Sequence, residues 1–397
     1  MSNDKEFDLL VFVGRFQPLH LEHKRVIDIA LEKSKNVLIL VGSAGKARTI
    51  RNPFTFEERR NMITESYTDN WDAIDPEGKT DRRLIIKPLY DKTYNDAAWV
   101  KQVQELVKDT TLDVMNPSGF MASGYNDAKV GLIGASKDGT SYYLKLFPQW
   151  KSVNVDIEND VHATTIRETF LDSTHSYDEW KDIAETVPNN VVHFLSDFMK
   201  TDAYTQLNSE LKFVRDYKKQ WEEGKTDLVA LAQELASSNF TMKEILEKLE
   251  EIKKVPYPVK HATVDAVVEQ SGHILLVKRR SEPGKGLWAL PGGHLNEYEK
   301  QLDGAIRELR EETKIKVPEA VLRGSIRDHE TFDDPYRSTL GRVITKAYHF
   351  KLPDDITLPK VKGADDAEKA KFIPISELRE DQMFDDHHAI VTYFLGL

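Results

Sequence analysis

The 397-residue chain contains no cysteine. This excludes disulfides, thiolate metal sites and cysteine nucleophiles together, and it fits a reducing compartment. No apolar run reaches the roughly 18 residues that a membrane span needs. The acidic start, MSNDKEFDLLVFVGRF, lacks the basic region and apolar stretch of a secretory signal. The expectation is a soluble, cytoplasmic protein with no membrane partner. Positive charge is also scarce: 55 Lys and Arg stand against 66 Asp and Glu, a net charge of -11. No general basic face is available to neutralise a phosphate backbone, so nucleic acid is not an expected partner. Fixed-period repeats and low-complexity tracts are absent as well.

What is present suffices for packed cores, since 40% of the residues are hydrophobic. The length suggests two or three domains at roughly 100–200 residues each. Strand-like and helix-like segments alternate through the first half. DLLVFVG, NVLILVGSA, RLIIKPLY, GFMASGY, KVGLIGA and SVNVDI read as strands, and EHKRVIDIALEKS, TFEERRNMITESY and NDAAWVKQVQELVKD read as helices. That alternation predicts an α/β fold with a parallel, Rossmann-like sheet.

From about Val187 to Lys254 the chain reads as charged helix. TMKEILEKLEEIKK opens with a capping box, Thr241 and Glu244, and carries an apolar stripe. Pro256 and Pro258 then break the pattern. HATVDAVVEQSGHILLVKRR reads as two strands joined by a Ser-Gly turn, with one strong helix, KQLDGAIRELREETK, and a strand, GRVITKAYHFKL, beyond it. The expected division is 1–190, a Rossmann-like domain; 191–255, a helical connector; and 256–397, an α+β domain.

Two stretches carry chemistry. In VFVGRFQPLHLEHKRVIDIA a buried strand ends in Gly14, and His20 and His23 stand at the seam with the next helix. Ligands of parallel α/β sheets sit beyond the strand ends, where a helix N-terminus offers free N–H groups and partial positive charge. Two histidines there can grip a phosphate chain. On spacing alone, a pair of ordinary surface histidines is the favoured alternative.

The surrounding sequence changes that balance. VGRFQPLHLEHKRVI resembles the signature of nucleotidylyltransferases, a strand, a Gly-rich turn and His-x-Gly-His. NPFTFEERRNMI resembles the segment after the family's second strand, and VHATTIRETF resembles its late Ile-Ser-Ser-Thr-x-x-Arg motif at Thr164 and Arg167. The most similar pattern is that of archaeal-type nicotinamide mononucleotide (NMN) adenylyltransferases. Glu22 replaces the glycine of His-x-Gly-His, and His162 replaces the first serine of the late motif.

The resemblance implies attack of the NMN 5′-phosphate on the α-phosphorus of ATP, giving NAD and pyrophosphate. Alignment and charge neutralisation supply the catalysis. It places Gly14, Arg15, Phe16, His20, His23, Thr164 and Arg167 at ATP, with His20, His23 and Arg167 catalytic and Mg2+ on the phosphates. NMN falls to Trp99, Asn52 and Arg59. Trp99 stacks on the pyridinium with a cation–π contribution, or packs in the core. Lys46, Arg48 and Arg59 are phosphate candidates or plain surface residues.

The second stretch is GGHLNEYEKQLDGAIRELREETKI. Glu308, Glu311 and Glu312 stand at i, i+3 and i+4 and share one helix face. Crowded carboxylates repel one another unless a hard cation binds, and Mg2+ and Mn2+ favour oxygen ligands. A solvated acidic helix is the competing reading. The pattern Gly293-x5-Glu299-x7-Arg307-Glu308-Leu309-x-Glu311-Glu312 resembles the Nudix box, departing from it only where Lys314 takes the place of the last glycine.

Nudix enzymes hydrolyse a nucleoside diphosphate linked to another group. The resemblance makes Glu308, Glu311 and Glu312 metal ligands, Glu311 catalytic, and Arg307 an anchor for the loop through Glu299. GADDAEKAKFIPISEL resembles the segment downstream of the box in ADP-ribose pyrophosphatases. Asp365, Asp366 and Glu368 are candidates there for another ligand or the base, Gly292 and Gly293 line the site, and Trp288 lines a base pocket or packs in the core.

An adenylyltransferase followed by a Nudix domain resembles the bifunctional NMN adenylyltransferase/Nudix hydrolases, over about residues 8–195 and 256–390. The small-molecule partners implied are ATP, NMN and ADP-ribose. Nicotinic acid mononucleotide as acceptor, and a Nudix half that acts as a ligand sensor or on another nucleoside diphosphate, are the alternatives. Assembly into a homo-oligomer stays open.

Overall fold

The apolar runs DLLVFVG and NVLILVG become adjacent parallel strands at the centre of a five-stranded sheet. The computed structural model describes residues 5–68, 83–115, 128–135, 143–157, 161–172, 177–224, 243, 261–355 and 357–397. It divides into two units, Met1–Asn208 and Ser209–Leu397.

In the first unit the order is β1 (Phe7–Gly14), α1 (Leu21–Lys33), β2 (Ser34–Val41), α2 (Phe56–Thr68), β3 (Leu84–Pro88), α3 (Asp96–Met115), β4 (Val130–Ala135) and β5 (Lys151–Val155). Helices α4 (Ala163–Phe170), α5 (Tyr177–Thr186), α6 (Asn189–Phe198) and α7 (Asp202–Gly224) follow, the last running on into the second unit. The sheet order is β3-β2-β1-β4-β5, with every pairing parallel. The chain steps outward from β1 to β3, then crosses back to β4 and β5. This reversal opens a crevice beyond the carboxyl ends of β1 and β4, where such sheets bind ligands.

Leu9, Val11, Leu38, Leu40 and Leu132 of the sheet bury against Val103 and Val107 of α3 and against Phe147. Each aliphatic side chain so buried stabilises the fold by about 1.5–3 kcal/mol. The strands end at their last apolar residues, and the loops beyond them carry the polar motifs. The strand expected at GFMASGY lies outside the described residues. So do the capping box, the helical stripe and the proline break expected between 225 and 260.

The second unit contains β6 (His261–Gln270), β7 (His273–Arg279), β8 (Trp288–Ala289), β9 (Gly292–His294), α8 (Gln301–Thr313), α9 (Glu319–Gly324), β10 (Ile326–Phe332), β11 (Val343–Lys351), β12 (Ala367–Pro374) and α10 (His387–Leu395). The expected Ser-Gly turn joins β6 to β7, with φ of 46° at Ser271 and 71° at Gly272. Two successive positive φ angles suit the twist of a two-residue hairpin. The mixed sheet runs β10-β11-β6-β7-β12, with β8 on β7 and β9 on β6. Among the described strands, only β6 and β11 pair in parallel.

Helix α8 lays Ala305, Ile306 and Leu309 against Val264, Ala266 and Val268. The adjoining face carries the carboxylates, with Glu312 itself buried. Among the described residues no helix is long and apolar enough to cross a membrane.

Candidate active sites

At the first site, three loops converge on the end of β1. Gly14 permits a close return of the chain: a Cβ there would stand 2.8 Å from the ring of Phe16, which folds back with φ of 51°. The Gly42 N–H donates to the Gly14 carbonyl at 2.8 Å and locks the ends of β1 and β2 together. Gln17, 1% exposed, clasps the next loop. Its Nε2 donates to the Phe54 carbonyl at 2.8 Å, and its Oε1 accepts the Phe54 N–H at 2.9 Å. Arg167 Nη1 donates to the Gln17 carbonyl at 2.8 Å, and its Nη2 to Thr164 Oγ1 at 3.0 Å. The late motif is thus tied to the histidine loop.

His20 caps α1, its Nδ1 accepting the His23 N–H across a long 3.4 Å. A neutral His20 in this tautomer keeps its ring proton on Nε2 as a donor. The two imidazoles stack with centroids 3.6 Å apart, and His23 also packs on Phe16. Burial lowers the His20 pKa to about 4, opposed by the charge of Glu22. Burial, and then His20 itself, hold His23 well below the usual histidine value. Nδ1 of His23 is buried without a hydrogen-bond partner. The pair is uncharged, close-packed and ready to donate to an anion.

Two of the expected phosphate ligands, Arg59 and Arg48, already have partners within the protein. Arg59, also expected at NMN, is 1% exposed. It gives its N–H groups to the carbonyls of Arg15, Gly42, Ser43 and Thr55 at 2.7–3.2 Å. Burial lowers its pKa to about 10, so it stays charged at neutral pH and braces three loops. Arg48 is engaged with both oxygens of Glu58 at 2.7 Å and with the Pro53 carbonyl. Its charge is already matched.

The other expected residues lie on the same loops. Lys46 is half-buried in the turn after β2, while Arg15 and Thr164 are exposed. Asn52 is held by its backbone to Thr49 and keeps a buried Oδ1 without a partner, an acceptor for a ligand N–H. Trp99 stands in the first turn of α3, half-buried, 6.2 Å from Phe147 and packed on the edge of the core. Both of its proposed roles therefore concern one ring with two faces. Sequence reasoning gave no role to Gln17 or to Asp91, which fixes Ser43 through its N–H and hydroxyl at 3.2 and 2.9 Å.

At the second site, the β9 loop lies across α8. A Cβ on Gly293 would stand 2.6 Å from Glu308 Oε1, and one on Gly292 2.3 Å from the Val264 carbonyl, so glycine at 292 lets the strand pass this close. Gly292 donates its N–H to Glu312 Oε2 at 3.1 Å. Arg307 grips both oxygens of Glu299 at 2.8 Å, as the loop-anchor role requires. It also reaches Glu308 at 2.8 Å, Glu311 at 3.0 Å and the His294 carbonyl at 3.1 Å.

Burial raises the Glu312 pKa to about 8, with Glu308 and Asp265 adding repulsion. Glu308 is raised by burial first, and by Glu311 and Asp365. Carboxyls pushed upward by burial and by one another form a hard-oxygen donor set whose excess negative charge a divalent cation relieves. The residues fit Mg2+ or Mn2+. Among the described residues no three acidic or histidine groups already stand in a metal-ligand cluster; Arg307 is the counter-charge to Glu308 and Glu311.

Downstream, Asp365 (φ 54°) is the acidic residue whose charge reaches Glu308. Asp366 faces Arg279 instead, and exposed Glu368 stands beside Lys369 on β12. Trp288 is half-buried on β8, its carbonyl accepting the Phe384 N–H. Two residues given no role in the sequence reading, Asp265 and Arg279, also bear on Glu312. Asp265 accepts from Thr345 Oγ1 at 2.6 Å, and Arg279 lies over the Phe384 ring at 4.1 Å.

Comparison with known proteins bears on both halves of the chain. Residues 11–169 match the cytidylyltransferase-like family and residues 259–394 the NUDIX domain. A crystal structure of a bifunctional NMN adenylyltransferase/ADP ribose pyrophosphatase from Francisella tularensis, complexed with AMP and a manganese ion, superposes with a TM-score of 0.78 at 31% identity, covering 98% of this chain and 99% of that one. The chain belongs to this bifunctional family.

The nicotinamide/nicotinic acid mononucleotide adenylyltransferase of Acinetobacter baylyi is 37% identical over 208 residues, 52% of this chain and 95% of its own length. The ADP-ribose pyrophosphatase of Methanocaldococcus jannaschii is 29% identical over 153 residues, 38% of this chain and 83% of its own.

Proposed function

We propose that this chain makes NAD from NMN and ATP in its first unit and hydrolyses ADP-ribose to AMP and ribose 5-phosphate in its second. The observation that carries the reading is the presence of both constellations on one chain that aligns from end to end with a bifunctional enzyme. We assign adenylyl transfer to residues 1–190 and hydrolysis to 256–397, with 191–255 as connector, and place the protein in the cytoplasm.

In the first site, ATP lies beyond β1, its phosphates against the start of α1, with His20 and His23 donating to them and Thr164 and Arg167 closing the far side. The attacking NMN phosphate is already anionic, so no group needs to remove a proton. The site aligns attacker and leaving group and neutralises the charge that develops between them. Arg59, Gln17 and Asp91 hold the three loops still while this happens.

In the second site, Glu308, Glu311 and Glu312 would hold Mg2+ or Mn2+, which polarises the diphosphate and activates water when bound. Arg307 and Glu299 hold the loop over α8, and the Gly292 N–H orients Glu312.

Acceptor choice has a second reading. The Acinetobacter relative is named for both the amide and the acid mononucleotide, so this chain accepting both is the alternative to NMN alone. Incubation with ATP and either mononucleotide, and separately with ADP-ribose and Mg2+ or Mn2+, tests the whole assignment. NAD, and AMP with ribose 5-phosphate, are the expected products. Absence of either set removes the corresponding half of the proposal.

A further inference from the structure

The stretch Leu290-Pro291-Gly292 leads into β9 with only two backbone donors, because proline has no N–H. Gly292 gives its donor to Glu312 Oε2 on α8, at 3.1 Å. Leu290, 2% exposed, gives its donor to Nδ1 of His387 at 2.8 Å, 97 residues away at the start of α10. Between them the Pro291 carbonyl accepts the Ala266 N–H of β6 at 2.8 Å.

We propose that His387 is a positioning residue of the hydrolytic site: its Nδ1 fixes the Leu290 N–H, which sets the Leu290–Gly292 stretch so that the Gly292 N–H holds Glu312 in the orientation a divalent cation needs. This rests on the Nudix reading of the second site.

The bond has a fixed direction. A backbone N–H only donates, so Nδ1 is the bare nitrogen and the neutral ring carries its proton on Nε2. Burial favours the same neutral ring, against the charges of Asp265 and Asp386. The ring also has little room to turn. It meets Phe384 edge to face at 5.6 Å, and the Phe384 N–H donates to the Trp288 carbonyl at 2.8 Å. One residue before His387, Asp386 accepts from Nε and Nη2 of Arg337, both at 2.9 Å. Asp386 flanks α10 yet makes no capping bond with its side chain. Its carboxylate instead pins the start of the helix to the loop between β10 and β11, and with it the ring of His387.

Gly292 has no slack on its other side. A Cβ there would stand 2.3 Å from both the Val264 carbonyl and Asp265 Oδ1. Pro291, stiff in φ, joins the two donors. A bond lost at Leu290 is therefore felt at Gly292. Glu312 is buried, so solvent offers little in place of the Gly292 N–H.

The test compares three variants with wild type. His387→Leu keeps bulk and removes the acceptor. His387→Gln stays polar but moves its acceptor outward, close to the place of Nε2. His387→Asn puts an amide oxygen close to the place of Nδ1. Mn2+ binding to the substrate-free protein is read by electron paramagnetic resonance, counted above the binding left in the Glu311→Gln/Glu312→Gln protein. Amide exchange at Gly292 is read by NMR. His387→Leu and His387→Gln should bind Mn2+ about tenfold more weakly, as expected when a group behind a metal ligand is lost, and exchange at Gly292 should quicken. His387→Asn should recover most of both. ADP-ribose hydrolysis by the first two should fall at limiting Mn2+ and return as Mn2+ is raised, with KM for ADP-ribose unchanged. Lost packing would be rescued neither by metal nor by His387→Asn.

Wild-type Mn2+ affinity in His387→Leu and His387→Gln overturns the proposal, whatever the amide exchange does. So does a loss in His387→Asn as large as that in His387→Gln, or a loss of hydrolysis that no Mn2+ restores. If His387→Leu does not fold, His387→Gln against His387→Asn decides alone. Wild type that binds Mn2+ but leaves ADP-ribose intact removes the hydrolytic reading by itself, and the Mn2+ affinities still decide the role of His387.

Discussion

Two sites on one chain solve opposite electrostatic problems. Beyond β1, burial strips charge from His20 and His23, and the buried cations Arg59 and Arg167 are spent on backbone carbonyls. On α8, burial and crowding push Glu308 and Glu312 upward, and one arginine spans Glu299, Glu308 and Glu311. The first site is a neutral, rigid donor array that gains most from an incoming anion. The second is a frustrated cluster of acceptors that gains most from an incoming cation. The ligand supplies the missing charge in both, so each site's affinity is stored as the cost of keeping its groups in unaccustomed states.

The sharpest way to break the comparison is to remove the frustration from one site only. Glu311→Gln with Glu312→Gln takes two of three carboxylates off α8 while keeping side-chain shape. ADP-ribose hydrolysis should fall on the order of a thousandfold or more, because both charge neutralisation and water activation are lost. NAD synthesis on the same preparation should remain near wild type. Arg307 keeps its two bonds to Glu299, so the loop should stay in place. Retained hydrolysis would rule out these carboxylates as the metal site, and joint loss of both activities in a folded protein would show that the sites are coupled.

The pH dependence of stability should differ in sign between the units. His20 and His23 have folded-state pKa values below the unfolded one. Between about pH 6.5 and 4 the unfolded chain therefore binds more protons than the native one. The stability they leave intact above pH 6.5 is lost as pH falls, by up to about 3 kcal/mol for His20. Glu312 works the other way. Its folded pKa of about 8 lies above the unfolded value, so without divalent ions it should destabilise the second unit as pH rises from about 4.5 to 8. Segment-resolved hydrogen exchange in EDTA should show protection of α1 falling toward acid and protection of α8 falling toward base. The same trend in both would contradict the assignment.

Trp99→Ala should weaken the mononucleotide more than ATP, by about 1–2 kcal/mol, as a partly desolvated cation–π contact requires. The ring is half-buried, with Phe147 on its inner side. Equal losses for both ligands, read by titration calorimetry, would assign the side chain to packing alone.

Much of this was legible in the sequence where local pattern decides the outcome. The strands of the first sheet are continuous apolar runs, and the Nudix helix announces itself by spacing. Readings based on charge alone leave the competing partners out. Arg48 and Arg59 look like phosphate ligands in the sequence, but loop carbonyls and Glu58 compete for them, and that demand arises only when Gly42, Ser43 and Arg15 are brought together in space. Gln17, Asp91, Asp265 and Arg279 escaped notice for the same reason, since each acts on a partner tens of residues away. Strands β8 and β9 have two and three residues, too short for any periodicity to show.

The smallest expected effect comes from the one position where the Nudix box is broken. Lys314 follows α8 in the left-handed region, with φ of 47°, and its N–H donates to the Arg310 carbonyl at 3.0 Å. Glycine is favoured at such a helix end because it has no Cβ to meet the neighbouring carbonyl. The missing glycine of the box is therefore a question of backbone strain, since a residue in this place carries no chemistry. Lys314→Gly should stabilise the second unit by about 1 kcal/mol, a little less once the added freedom of the unfolded chain is counted. That corresponds to a rise in its melting temperature of roughly 2–4 °C. ADP-ribose hydrolysis should be unchanged, because Glu308, Glu311 and Glu312 lie on turns that precede the cap. An unchanged or lower melting temperature would mean that the lysine side chain makes a compensating contact, and a change in hydrolysis would mean that the helix end reaches the site.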